Sequence, residues 1–333
     1  MKIFVHFKPN EKYDNFEGAR LRKTIKSALE VVGIPYTDTV MDNFDIAHLI
    51  SYEDDGLIDE LKEKGVPIVV SALYSEDDPS SSYIEYKNKD GNRIYTIKPK
   101  AIKFLNNVDL VLTPNEIAKQ ILISNGVTTR IKICPPSVNS VRFDFSRDDE
   151  KTIFYRYFGC ESDKKIVVCL GHYNGELDGL SVILSAAKVC EDVNFYYIAA
   201  TEGGMRYKKI VKGLPKNVFV SPIVPDDVYR SALLNADVFL LPGYKTPGVL
   251  SVCEAMAAKC QLIVRKHDIL QDIAIDQKTA YVASYSETLA GIIKDYFEGK
   301  MQPTIEEAYN IASQNDIGVF GDNLIRFYQS VIR

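Results

Sequence analysis

Between positions 242 and 264 the chain reads Pro-Gly-Tyr-Lys-Thr-Pro-Gly-Val-Leu-Ser-Val-Cys-Glu-Ala-Met-Ala-Ala-Lys-Cys-Gln-Leu-Ile-Val. This stretch holds the residue types best suited to chemistry. Pro242, Gly243, Pro247 and Gly248 punctuate a loop, and the small, apolar run from Val249 to Ala258 reads as a helix. A glycine loop running into a helix offers backbone N–H groups to an anion. Pro247, Gly248, Val249 and Leu250 therefore form a candidate phosphate cradle. Glu254 falls about two turns into that helix, where its carboxylate is placed to accept hydrogen bonds from a vicinal diol such as a ribose.

These residues need a sheet to hold them. Residues 237–241 and 261–264 flank the stretch as short apolar runs that read as buried strands. Upstream, residues 165–171 form a clear buried strand ending in Gly171, followed by His172. The first half alternates in the same way. Strands are expected at 2–7, 35–37, 45–50, 66–72, 109–113 and 131–134, and helices at 17–32, 55–64 and 114–124, the last with proline in its first turn. Alternation of this kind predicts parallel, doubly wound α/β sheets. Residues 76–99 lack periodicity and read as a loop. Residues 146–151 are charged and read as a linker, with a short helix at 153–158. The expected division is 1–145, 146–318, and a last helix at 319–333 that returns to the first domain. Two such domains facing one another would enclose a central cleft, the usual place for a ligand.

Three further groups have the right types for a ligand but admit a plain reading as well. His48, one of four histidines, is either a satisfied histidine at a strand end or a polar group at the carboxyl edge of a sheet, where open α/β folds bind ligands. Arg20, Arg22 and Lys23, following Gly18, are either a solvated helix face or a site for an anionic acceptor or donor phosphate. Lys98, Lys100 and Lys103, interleaved with Ile97, Ile102 and Phe104, read as a solvated face in preference to a contact with anionic lipid.

Composition removes several classes. The 333 residues suffice for two full cores, and the net charge of −5 argues against a general nucleic-acid binder. No apolar run approaches the roughly 20 residues of a membrane span, and the N-terminus begins in a strand pattern with no signal peptide. The six cysteines fall mostly in apolar runs and form no Cys-x-x-Cys pair, so reduced thiols and a cytoplasmic protein are expected. No His/Cys cluster has metal-ligand spacing, and Gly171 and Gly175 lack the third glycine of a dinucleotide fingerprint. No metal or cofactor is expected.

The stretch around Glu254 resembles the donor-site signature of retaining GT-B glycosyltransferases of family four (group 1), in which a Glu, seven residues, a second Glu and Ala-Met-Ala follow in order. Here Glu254 and Ala255-Met256-Ala257 match, while Thr246 stands at the first Glu. The first half is similar to the firmicute and mollicute enzymes that glycosylate diacylglycerol, through Asp45-Ile-Ala-His48, Val69-Val-Ser-Ala-Leu-Tyr-Ser-Glu-Asp-Asp78 and Asp109-Leu-Val-Leu-Thr-Pro-Asn-Glu116. The resemblance implies two Rossmann-like domains and transfer of a sugar from a nucleoside-diphosphate sugar, UDP-linked, to a hydroxyl acceptor such as a glycolipid or glycan. It implies peripheral contact with the inner face of a membrane. Donor contacts would come from Gly171, His172, Pro247, Gly248, Val249, Leu250 and Glu254, and acceptor-side or cleft contacts from Gly18, Arg20 and His48. No catalytic group is assigned. Four positions depart from the family: Leu73, His172, Asp178 and Thr246 replace a His, an Arg, a Lys and a Glu. They raise a second reading, a catalytically impaired relative acting as a binding subunit or as partner to another glycosyltransferase.

Overall fold

A computed structural model describes residues 1–7, 17–50, 55–74, 83–87, 93–143, 148–160, 164–171, 179–199, 213–222, 224–243 and 248–332. The chain forms two units. One comprises Met1–Asn139, Gly248–Leu250 and Asn315–Arg333, and the other Ser140–Pro247 and Ser251–Gln314.

In the first unit β1 (Ile3–His6), α1 (Glu17–Val31), β2 (Tyr36–Thr37), β3 (Ile46–Leu49), α2 (Asp55–Glu63) and β4 (Ile68–Ser71) come first. An antiparallel hairpin of β5 (Tyr83–Lys87) and β6 (Arg93–Ile97) follows, then α3 (Pro99–Leu105), β7 (Leu110–Thr113), α4 (Glu116–Ser124) and β8 (Ile131–Ile133). The main sheet is parallel, in the order β2-β1-β3-β4-β7-β8. Its inner strands are short apolar runs buried along their length, as a sheet covered by helices on both faces requires.

The second unit contains α5 (Asp148–Phe158), β9 (Lys165–Gly171), α6 (Leu180–Val189), β10 (Val193–Ala199), β11 (Val218–Ser221), α7 (Asp226–Asn235), β12 (Val238–Leu241), α8 (Val249–Ala257), β13 (Gln261–Arg265), β14 (Tyr281–Ala283), α9 (Ser286–Phe297) and α10 (Ile305–Gln314). The first turn of α8 clusters with the first unit. The sheet is again parallel, β11-β10-β9-β12-β13-β14. Counted within the sheet this is the 3-2-1-4-5-6 order of dinucleotide-binding folds, with its reversal between β9 and β12. The last helix, α11 (Ile317–Gln329), packs on α1 in the first unit. Asp316 caps it by accepting from Gly318 N at 2.8 Å and Val319 N at 3.0 Å.

Three sequence expectations are corrected. The loop expected at 76–99 includes the β5–β6 hairpin, whose five-residue strands are too short to show a pattern over their polar flanks. The linker expected at 146–151 is, from Asp148, the opening of α5, so the helix read at 153–158 is longer than expected. Acidic residues favour a helix start yet look like a solvated tether in sequence. Pro114 lies before α4 and not in its first turn, because Asn115 is the cap and accepts from Ala118 N at 3.0 Å.

A repeated device aligns the strands. The aspartate just before a strand accepts from the opening backbone N–H of the neighbouring strand: Asp109 from Ile68 at 2.8 Å, and Asp237 from Ile166 at 2.8 Å. Asp45 likewise accepts from Lys2 N, just before β1, at 2.6 Å. Each fixes a strand foot on the side where the ladder with the aspartate's own strand has not yet begun. All six cysteines are free thiols, five of them buried, and burial pushes the Cys134 thiol up to about 12.

His48 sits wholly inside the first unit. Its Nδ1 meets the Tyr328 hydroxyl of α11 at 2.6 Å and its Nε2 meets Ser71 Oγ at 2.8 Å. With both nitrogens engaged and no exposed surface, it is a core hydrogen-bonding group and not the edge residue of the ligand reading. Burial depresses its pKa to about 3. The folded chain therefore keeps His48 neutral, while the unfolded chain binds a proton below about 6.5. The stability this represents is full above pH 6.5 and is lost as pH falls toward 3, by up to about 1.4 kcal/mol per pH unit. Urea titrations from pH 8 to 4 should show this loss, and His48→Asn should flatten it. An equal acid slope in the variant would rule His48 out as its source. A second expectation concerns the strand feet. Asp237→Ala leaves the Ile166 N–H without its acceptor and should cost about 1–3 kcal/mol in the same titration, whereas Asp237→Asn, which can still accept, should cost less.

Candidate functional site

The reversal of strand order in the second sheet puts the carboxyl ends of β9 and β12 side by side with their connections leaving in opposite directions. Ligands of open α/β sheets bind at such a point. β9 ends at Gly171, against which the Tyr197 side chain from β10 is packed. A Cβ there would stand 2.3 Å from the Tyr197 hydroxyl oxygen, so only glycine fits. His172 and Asp178 lie outside the described residues. The chain resumes at Gly179, which opens α6 with φ +72. A Cβ on Gly179 would come within 2.4 Å of the Pro242 carbonyl oxygen. The connection after β9 and the one after β12 thus touch backbone to backbone.

After β12 the loop starts with Pro242 and Gly243. Pro247, with Lys245 and Thr246, is outside the described residues. Two carbonyls at the loop's start are held from β13 and the residues after it: Arg265 Nε donates to Pro242 O at 2.7 Å, and His267 Nε2 meets Gly243 O at 3.1 Å. Arg265 is fully buried and serves this backbone.

Gly248, Val249 and Leu250, at the start of α8, are buried. They cluster with the first unit, and there their donors are engaged. Val249 N donates to Tyr74 O at 3.3 Å and Leu250 N to Glu17 Oε1 at 2.7 Å. A Cβ at Gly248 would overlap the Glu17 carboxylate, so the missing side chain makes room for an anionic group beside the helix start. That anion-accepting character is what the sequence suggests. The identity of the occupant, a carboxylate more than 230 positions away, had no signal in it. Beside Tyr74, Leu73 is buried at φ +60, a left-handed conformation costing a branched residue about 1–3 kcal/mol.

Further along α8, in the second unit, Glu254 is 3 % exposed and accepts from the Tyr229 hydroxyl of α7 at 3.3 Å. It is not the solvated turn that a surface glutamate would occupy. Tyr229 is a site residue that sequence reasoning missed, because it lies on another helix with no spacing relation to Glu254.

The first-half candidates are described within their own unit. Gly18 and Arg20 are buried in the first turn of α1. Arg22 and Lys26 both pair with Asp38, at 2.7 and 2.5 Å. Burial pulls the Asp38 carboxyl up, but the hydrogen bonds from Lys26 and Arg22 outweigh it and hold the group below its usual range. Arg22 is therefore committed to Asp38. In the lysine group at 98–103, Ile97 and Phe104 are core residues and Ile102 is half-buried, so most of the apolar half of that patch is withdrawn from the surface.

Comparison with known proteins places this geometry. Residues 155–314 match the model of the family described as glycosyl transferases group 1. Over 318 residues, 92 % of both chains, the sequence is 23 % identical to the processive diacylglycerol alpha-glucosyltransferase of Acholeplasma laidlawii. It is 22 % identical over 184 residues to the alpha-galactosylglucosyldiacylglycerol synthase of Streptococcus pneumoniae, covering 53 % of this chain and 49 % of that one. Among solved structures, Anabaena HepE in complex with UDP and glucose superposes with a TM-score of 0.72 at 13 % identity, covering 99 % of each chain. These matches do not favour the reading of the fold as a mere binding subunit. The family match thus covers residues 155–314, within the second unit, and the two-sheet architecture is shared with the solved GT-B structures.

Proposed function

We propose that this protein transfers a sugar, with retention of anomeric configuration, from a UDP-linked donor to a hydroxyl of a membrane glycolipid. The single observation that carries the donor half is the backbone contact of Gly179 with Pro242 at the strand-order reversal, with the buried Glu254 on the helix that follows. The loop ends and the first turn of α8 would hold the diphosphate. Glu254, with one oxygen fixed by Tyr229, would accept from the ribose diol. Gly171 would meet the donor through its backbone at the end of β9, and His172 and Pro247 would complete the cradle. The reaction would need no resident metal or cofactor, because backbone N–H groups at the helix start can stabilise the leaving diphosphate.

The glycolipid acceptor is supported by likeness to the Acholeplasma enzyme over nearly the whole length of both chains. Gly18 and Arg20, at the start of α1, would serve the acceptor side; His48 is withdrawn from that role by its burial. No helix among the described residues is long and apolar enough to cross a membrane, so contact with lipid would be peripheral, at the inner face.

Glu17 bears on the donor. A phosphate oxygen that takes the Leu250 N–H must displace the Glu17 carboxylate, since two anions cannot share one donor at close range. Calorimetric titration with UDP is the direct test. Glu254→Gln should weaken UDP binding about tenfold, the difference between a charged and a neutral acceptor, while Tyr229→Phe should change it less. Unaltered affinity in the glutamine variant would remove Glu254 from the ribose. Glu17→Ala should tighten UDP but not uridine, and the gain should shrink at high salt because it is Coulombic. Equal tightening of uridine would show that Glu17 does not compete with phosphate.

A further inference from the structure

β13 ends in Arg265, and two residues on, at the same-side spacing of an extended chain, comes His267. Both are buried, Arg265 completely. The guanidinium is fixed on three sides. Nε donates to Pro242 O at 2.7 Å, Nη1 to Ser284 O at 2.5 Å, and Nη2 to Ser286 Oγ at 2.9 Å. His267 Nε2 lies 3.1 Å from Gly243 O. A carbonyl only accepts, so this nitrogen carries the proton. Two consecutive carbonyls at the start of the 242–248 loop are therefore held by two same-side residues after the adjoining strand. The turn that opens α9 is tied in through Ser284 and Ser286.

Burying a guanidinium is costly unless its donors are satisfied. A hydrophobic residue would fill the same place in a β-sheet core at no such cost, so the choice of arginine needs a reason. Its planar fork can bind several oxygens in fixed directions at once, which an ammonium cannot do. One of the oxygens it binds, Pro242 O, belongs to the loop that leaves the strand-order reversal, six residues before Gly248; the other two belong to Ser284 and Ser286. All of these groups lie in the second unit.

We propose that Arg265 and His267 are positioning residues that clamp the start of the donor loop. They fix the Pro242 and Gly243 carbonyls without themselves touching the donor. The inference deepens the donor-site reading above and rests on it for the consequence in catalysis. A clamp that holds the loop alike for ground state and transition state acts on donor affinity and leaves the chemical step alone. Its loss should raise KM for the nucleotide-sugar and spare kcat.

The test uses the full chain and His267→Gln, His267→Leu, Arg265→Lys and Arg265→Met, with three readouts: UDP affinity by calorimetry, KM and kcat with UDP-glucose and diacylglycerol vesicles, and hydrogen exchange of peptides spanning 242–250. Glutamine can place an amide N–H near the position of His267 Nε2, so His267→Gln should keep near-parent behaviour. His267→Leu should bind UDP about fivefold more weakly, as expected for one lost hydrogen bond, raise KM to match, keep kcat within about twofold, and exchange faster at 242–250. Arg265→Lys should fall between parent and Arg265→Met. If Arg265→Met does not fold, the His267 pair still decides. Exchange at 242–250 unchanged in His267→Leu, or equal defects in His267→Gln and His267→Leu, would overturn the clamp. If the parent binds no UDP while exchange responds as expected, the clamp stands and the donor reading fails.

Discussion

The approach of Gly179 to the carbonyl of Pro242 is the constraint on which the second unit turns. In a parallel sheet each connection must cross to the next strand, and at the place where strand order reverses two connections depart from neighbouring strand ends. Here the two backbones meet where no side chain fits. That contact determines which residues can follow β9 and β12. It requires a left-handed glycine at the start of α6. Gly171, against which Tyr197 packs, repeats the same economy of volume one strand away.

Buried polar groups then fix what apolar packing leaves free. Packing alone tolerates many near-equivalent arrangements, whereas a satisfied buried hydrogen-bond network allows few. In the first unit, His48 joins β3, Ser71 at the end of β4 and Tyr328 of α11, so the returning C-terminal helix is tied to the sheet as well as packed on α1. In the second unit, Arg265 and His267 play the corresponding part for the loop of the switch point. The aspartates at positions 109 and 237 do so at the opposite edge, where each strand begins. The chain thus uses carboxylates at the amino ends of its strands for alignment.

The anion preference of the α8 start is a separate matter. Its N–H groups are disposed toward negative charge whatever supplies it, and Glu17 supplies it at Leu250. A helix start occupied by the protein's own carboxylate differs physically from an empty one: an incoming anion would have to displace it, so its affinity would be a difference between two anions.

The sequence by itself determined the alternation of strands and helices, hence two parallel sheets, because buried parallel strands are apolar runs separated by helical periodicity, and both signals are local. It also determined the glycine loop, the helix after it and Glu254, since those residues are contiguous. It misread 76–99 and 146–151, where short strands and a helix start carry the same polar residues as a loop. Only the tertiary structure decided that His48 is a core group, that Arg22 is spent on Asp38, that Tyr229 holds Glu254, and that Arg265 and His267 hold the loop. In each case the deciding partner lies between 16 and 280 positions away. Residue type and spacing along one segment state what a side chain can do, but which segment it meets is set by sheet order, and sheet order is a property of the folded chain.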